Sequence, residues 1–304
     1  MTRTLLAFAI LGTIPILPAM TNADDETGAR LISFDALQKR LDEPGVRVLD
    51  VRPRADYEAG HIPGAVWVDA SAVEKAAGEP GALSDPKRWE DWIAGLGLGP
   101  DTEVYVYDDA QQKDAARFWW LLRHLGVETV GLVDGNFPLW KEQGRPVTTE
   151  TVEIPPRPFP IQLRSDRFAD RQTVLRALQG DQIAVVDARS LGEYTGEVAR
   201  SERGGHIPAA CHLEWSELVD EQGRFLPASD LRTKVEKLGL KPGQEVITHC
   251  QGGGRASVDA FVLERLGHPA RNYYLGWSDW GNAEETPIDT GPSADRANKG
   301  EQPR

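Results

Sequence analysis

Residues 248–257 read THCQGGGRAS, the stretch of the chain richest in chemistry. Cys250 ends an apolar, β-branched run; Gly252, Gly253 and Gly254 follow, and Arg255 opens a helix-forming segment. In a parallel α/β sheet, the carboxyl end of a strand is where ligands bind. A helix start offers unpaired N–H groups and the positive end of its dipole. Glycines allow positive-φ backbone, so successive N–H groups can turn inward around an anion. Arg255 adds a permanent charge. The expectation is a thiolate nucleophile at Cys250, with Gln251, Gly252, Gly253, Gly254 and Arg255 holding the anion formed on it. The Gln251 side chain reads equally as a loop donor or a solvent-facing amide. His249 abuts the cysteine, but neighbouring strand residues face opposite ways, which weighs against a direct catalytic part.

Bulk properties restrict the partners. A net charge of −13 repels nucleic acid and anionic membrane, so an anionic substrate must be drawn in by a local cluster of donors. Forty per cent hydrophobic and 27% charged residues describe a soluble globular chain, and 304 residues favour two domains. No clustered metal ligands stand out, and no metal or cofactor is expected. Cys211, the other cysteine, lies in HIPAACHLEW and reads as a buried small hydrophobe, not a disulfide partner.

The first residues carry Arg3, an apolar run from Leu5 to Leu17, and small Thr21 and Ala23 before Asp24. Residues 1–23 therefore read as a secretory signal peptide, too short to span a bilayer, with an uncleaved anchor as the weaker alternative. The expectation is a periplasmic or secreted monomer with no membrane attachment after cleavage.

The elements that must position Cys250 occur twice. Asp50, Arg52 and Tyr57 recur as Asp187, Arg189 and Tyr194 at an offset of 137, while His61-Ile62-Pro63 recurs as His206-Ile207-Pro208 at 145. The second copy has thus gained eight residues, among them Arg200 and Arg203. QIAVVDAR and EVITHC read as buried strands. SVDAFVLERLG and ARFWWLLRHLG read as helices stopped by Gly267 and Gly126. Alternating strands and helices predict an α/β fold with mostly parallel sheets flanked by helices. We expect domains at residues 30–147 and 167–290, a proline-rich linker at 148–166 and a disordered tail at 291–304.

The doubled D-x-R…Y…GHIP units, the CQGGGR loop and YYLGWSDWGNAEETPID together resemble the tandem-domain rhodaneses, the thiosulfate and 3-mercaptopyruvate sulfurtransferases, across residues 30 to 290. The resemblance implies two rhodanese-like domains with the nucleophile only in the second. The first has Asp108 where the second has Cys250, so it is expected to be catalytically silent and to wall the cleft. It further implies a Cys250 persulfide that takes sulfur from a small anionic donor such as thiosulfate and passes it to cyanide or a thiol. Four residues separate Cys250 from Arg255, as in rhodaneses, whereas related phosphatases have five. The alternatives are a 3-mercaptopyruvate enzyme and a persulfide carrier for a protein partner. Glu193 stands where the family often has a substrate arginine; Arg200 and Arg203 read equally as replacements for it or as surface charges. Trp277 and Trp280 are candidates for pocket wall or core, and Trp215 for core.

Overall fold

The computed structural model describes residues 28–292, so the expected signal peptide and residues 293–304 of the expected tail lie outside the described residues. The first sheet contains β1 (Arg30–Ile32), β2 (Val46–Asp50), β3 (Val66–Trp67), β4 (Glu103–Tyr107) and β5 (Val130–Val133) in the order β1-β5-β4-β2-β3. The second contains β6 (Ile183–Asp187), β7 (Cys211–His212), β8 (Glu245–His249) and β9 (Ala270–Tyr273) in the order β7-β6-β8-β9. All strand pairs are parallel, as the α/β expectation required. The counterpart of β1 in the second sheet shrinks to one bridge between Phe168 and Asn272. β4 and β8 are interior strands buried continuously from Val104 to Tyr107 and from Val246 to His249. Helices cover both faces of such a sheet, so the strands read as solid apolar runs without alternation.

The repeated D-x-R…Y…H residues brace each domain. Arg52 grips the Asp50 carboxylate (Nη2 to Oδ2, 2.6 Å) and donates to the Gly60 carbonyl (2.8 Å). Arg189 does the same with Asp187 (2.5 Å) and Gly205 (2.7 Å). His61 and His206 stack on Tyr57 and Tyr194 at 3.8 Å. Their Nδ1 atoms lie 2.8 and 2.9 Å from the carbonyl oxygens of those same tyrosines. These contacts fix loops, as expected for residues present in both copies.

The helices Lys113–His124 and Gly254–Arg265 join the domains. Both are buried on almost every side, with Arg117, Asp259 and Glu264 among the buried residues. Trp119 meets Phe261 edge-on with ring centroids 5.0 Å apart. One apolar core consequently runs through both sheets. The proline-rich residues 149–164 have no regular structure. They hydrogen-bond along the first domain, from Arg157 N to Ala94 O (2.9 Å) and Gln162 N to Leu125 O (3.1 Å).

Candidate active site

β8 ends at His249 and the next helix starts at Gly254, so Cys250 to Gly253 form the intervening turn. The carbonyls of this turn are all engaged. Cys250 O accepts from Trp277 N (2.7 Å), and Gln251 O accepts from Ser278 N (3.1 Å). Gly252 O accepts from Arg117 Nη1 (2.8 Å), and Gly253 O accepts from Asn272 Nδ2 (3.0 Å) and Ser257 Oγ (2.9 Å). A planar trans peptide points its N–H opposite to its C=O. The amides of Gln251, Gly252 and Gly253 therefore face away from these anchors, and among the described residues they have no backbone acceptor. Two glycines are sterically required. A Cβ on Gly253 (φ +81°) would lie 2.3 Å from the Tyr274 ring, and one on Gly276 (φ +51°) would lie 2.2 Å from the Cys250 carbonyl oxygen.

Cys250, Gln251, Gly252, Gly254, Arg255 and Arg200 line one cleft of about 570 Å³. Cys250 is 2% exposed and is a free thiol, as is Cys211. The Arg255 guanidinium is engaged by Glu193, with Nη1 to Oε2 at 2.6 Å and Nη2 to Oε1 at 3.0 Å. Burial works against the Glu193 charge, but the Arg255 fork and Ser190 outweigh it and hold the carboxyl at about 2. Arg200 Nε lies 3.3 Å from the same carboxylate, and its side chain is largely exposed at the rim.

The structure departs from the sequence expectations at one arginine. Arg203 does not reach the cleft. It donates to the carbonyls of Trp280 (3.0 Å) and Thr286 (3.0 Å), clamping the C-terminal turn, because five donors on one fork match a ring of free carbonyls. The Gln251 side chain is tied down, its Nε2 donating to Ser201 Oγ (3.1 Å) and its Oε1 buried without a partner, while its backbone amide keeps no backbone acceptor. Trp215 packs against the main core, as expected, and in addition forms part of the cleft wall beside the small cluster of Cys250, Ala188 and Ala256. Trp277 and Trp280 are core residues at 1% and 0% exposure.

Other site residues were not legible in the sequence. The first domain contributes Glu74, Lys113 and Arg117 to the cleft. Lys113 sits at the register position of Arg255, offset by the 142 that relates Asp108 to Cys250, and that offset could have found it. Behind the loop, Asp259 is fully buried with neither oxygen hydrogen-bonded. Burial, together with the nearby Cys250 and Asp187, raises its carboxyl well above the ordinary value. His249 is also fully buried, and burial pushes it down to about 4, so it stays uncharged at neutral pH.

Asp108 shows what the matching loop of the first domain holds. Its Oδ1 accepts from the amides of Ala110 and Gln112 (both 3.1 Å), and its Oδ2 from those of Asp114 (3.0 Å) and Ala115 (2.9 Å). The amide cradle there is filled by the chain's own carboxylate.

The rhodanese-like domain family matches the chain twice, over residues 33–143 and 170–283. The chain belongs to the rhodanese family. It is 33% identical to a thiosulfate sulfurtransferase of Azotobacter vinelandii, over 83% of this chain and 94% of the relative. It is also 33% identical to a sulfur carrier protein of Thermus thermophilus, over 86% and 96%. Among solved structures, a 3-mercaptopyruvate sulfotransferase of Escherichia coli superposes with a TM-score of 0.69 at 27% identity, covering 82% of this chain and 99% of that one. Both sheets of this tandem rhodanese thus follow the family fold, and one of its two equivalent loops carries a thiol where the other carries Asp108.

Proposed function

We propose that this rhodanese is a thiosulfate sulfurtransferase working through a persulfide on Cys250. The observation that carries the proposal is the paired loops. One amide cradle receives the Asp108 carboxylate through four N–H donors; the other places Cys250 at the same register, with the amides of Gln251, Gly252 and Gly253 free of backbone acceptors. A persulfide anion on Cys250 would draw on these three amides, as the Asp108 carboxylate draws on the amides of its own loop.

The chemistry takes two displacements. The Cys250 thiolate attacks the outer sulfur of thiosulfate, forming a new S–S bond as the old one breaks and sulfite departs with its electron pair. A thiolate or cyanide then attacks the outer persulfide sulfur, and the Cys250 thiolate leaves. No net oxidation occurs. Attraction of the donor has a local source: Lys113, Arg117, Arg200 and Arg255 outnumber Glu74, Glu193 and Glu214 by one at the cleft, on a chain whose net charge is −13.

Donor choice follows from Glu193. With both arms of Arg255 taken, its guanidinium fork is closed to a carboxylate such as mercaptopyruvate. Thiosulfate needs only the amides and the diffuse positive field. The burial of Cys250 at the cleft floor favours small acceptors over a bulky protein thiol.

The test is intact-protein mass spectrometry after thiosulfate treatment. The expected result is an adduct of roughly 32 Da (one sulfur) that cyanide removes and Cys250→Ser abolishes. Its absence on active protein would overturn the proposal. Side-by-side turnover should favour thiosulfate over mercaptopyruvate, while slow turnover of both with rapid transfer to a protein thiol would instead favour the carrier role. We further propose export by residues 1–23; N-terminal sequencing of protein made in its own cells should begin at Asp24.

A further inference from the structure

A second cavity, of about 320 Å³, lies at the other end of the paired helices, lined by Arg123, Arg164, Asp166, Arg167, Glu264 and His268 among others. Glu264 is ten residues along its helix from Gly254, about 15 Å at the rise of an α-helix, so this cavity is remote from Cys250. It lies where the first domain, the linker and the second domain meet.

Its charges do not balance. Arg164 is matched by Asp166 at 3.1 and 3.0 Å. Arg167 is 6% exposed and gives Nη2 to Glu264 at 2.8 Å, but its Nη1 is buried with no partner. Arg123 donates Nη1 to the Glu128 carbonyl, while its buried Nε has no partner. No ion pair joins Arg123 to a carboxylate among the described residues. Burial and the adjacent Arg167 charge pull Arg123 down to about 10. Helix C-terminal carbonyls explain why cations gather here. They do not explain why, with Asp166 and Glu264 already taken by Arg164 and Arg167, the cavity lining carries a third guanidinium with no carboxylate.

We propose that this cavity binds a small tetrahedral oxyanion, sulfate or phosphate in chemistry, between Arg123 and Arg167. Such an anion offsets the surplus positive charge of the cavity lining, relieves the repulsion between two like charges, and ties the first domain's helix to the linker and, through Glu264, to the second domain. The site is independent of the chemistry at Cys250.

The test is thermal unfolding of the full chain in sulfate, phosphate, acetate or chloride at matched ionic strength, with Arg123→Met beside the wild type. Sulfate or phosphate should raise the wild-type midpoint in a saturating manner, with acetate and chloride ineffective. Arg123→Met should weaken this response by about tenfold in anion concentration or more, as expected for loss of one charge-assisted donor set. Because it removes an unpaired buried cation, Arg123→Met should hold or raise the midpoint in chloride. Competition of sulfate against thiosulfate at Cys250 should be the same in both proteins, which separates this site from the cleft. Equal midpoint responses in wild type and Arg123→Met, a response to acetate equal to that to sulfate, or a lowered midpoint in chloride alone would each overturn the proposal.

Discussion

Glu193 and Arg255 form a bidentate pair at 2.6 and 3.0 Å beside the Cys250 turn, so the loop's permanent charge is neutralised before any substrate arrives. Removing that brake is informative. Glu193→Gln should free Arg255 for the donor and lower the thiosulfate KM by roughly fivefold, about 1 kcal/mol, with a larger gain for mercaptopyruvate. Initial-rate kinetics with both donors checks this; unchanged values for both would show that Arg255 never meets the substrate.

The same pair sets an acid limit. Glu193 is held at about 2, below its ordinary 4.5, so the pair's contribution is complete above pH 4.5 and disappears as pH falls through about 2. His249 acts in the range above. Its imidazole titrates at about 4 in the fold against 6.5 when free, so the unfolded chain binds the proton first and stability declines as pH drops from 6.5 to 4. Urea unfolding at pH 7, 5 and 3.5 should show a falling midpoint. His249→Asn should flatten the upper part of the curve and Glu193→Gln the lower.

Asp108 should matter for folding and not for sulfur transfer. Asp108→Ala empties a cradle of four N–H donors and should cost on the order of 3 kcal/mol, the scale of a few orphaned buried amides. Asp108→Asn keeps the shape and should cost less. Chemical denaturation gives the stabilities, and turnover per folded molecule should be unchanged in both.

The two arginines of the insertion should separate cleanly. Arg200 lies at the cleft rim, and Arg200→Ala should raise the thiosulfate KM a few-fold, roughly 2–5 times, with little change in kcat. Arg203 clamps the carbonyls of Trp280 and Thr286, and Arg203→Ala should lower thermal stability while leaving the KM alone. The reverse pattern would restore Arg203 as a substrate contact.

Gly276→Ala should disable the site without touching the cleft lining. The added methyl meets the Cys250 carbonyl oxygen, and the φ of +51° is strained for alanine. Loss of the sulfur adduct in a protein that retains its far-UV circular dichroism is the expected outcome.

Much of this molecule was readable from the amino-acid sequence. The duplication, the β6 and β8 strands, the two buried helices and the position of Cys250 all announce themselves through local pattern: solid apolar runs, helical spacing, glycine stops and a repeat. Such signals survive in one dimension because backbone geometry and burial act on neighbours in the chain.

Side-chain destinations were decided elsewhere. Arg203 and Arg200 lie three residues apart in one insertion, yet one serves the C-terminal turn and the other the cleft, because partners 77 to 83 residues away select between them. Glu193 gives no sign in sequence that it will meet Arg255, 62 residues on. Lys113, Arg117 and Glu74 become part of the cleft only once the two central helices pack. Trp215 packs against the main core and joins the cleft wall as well, a double role that only the packed structure shows. The sequence alone determined the fold, the repeat and the place of Cys250, the proposed nucleophile, at the end of a strand. Tertiary packing decided which charges surround it, since an ion pair depends on distance in space, and that distance is set by the packed core and not by position in the chain.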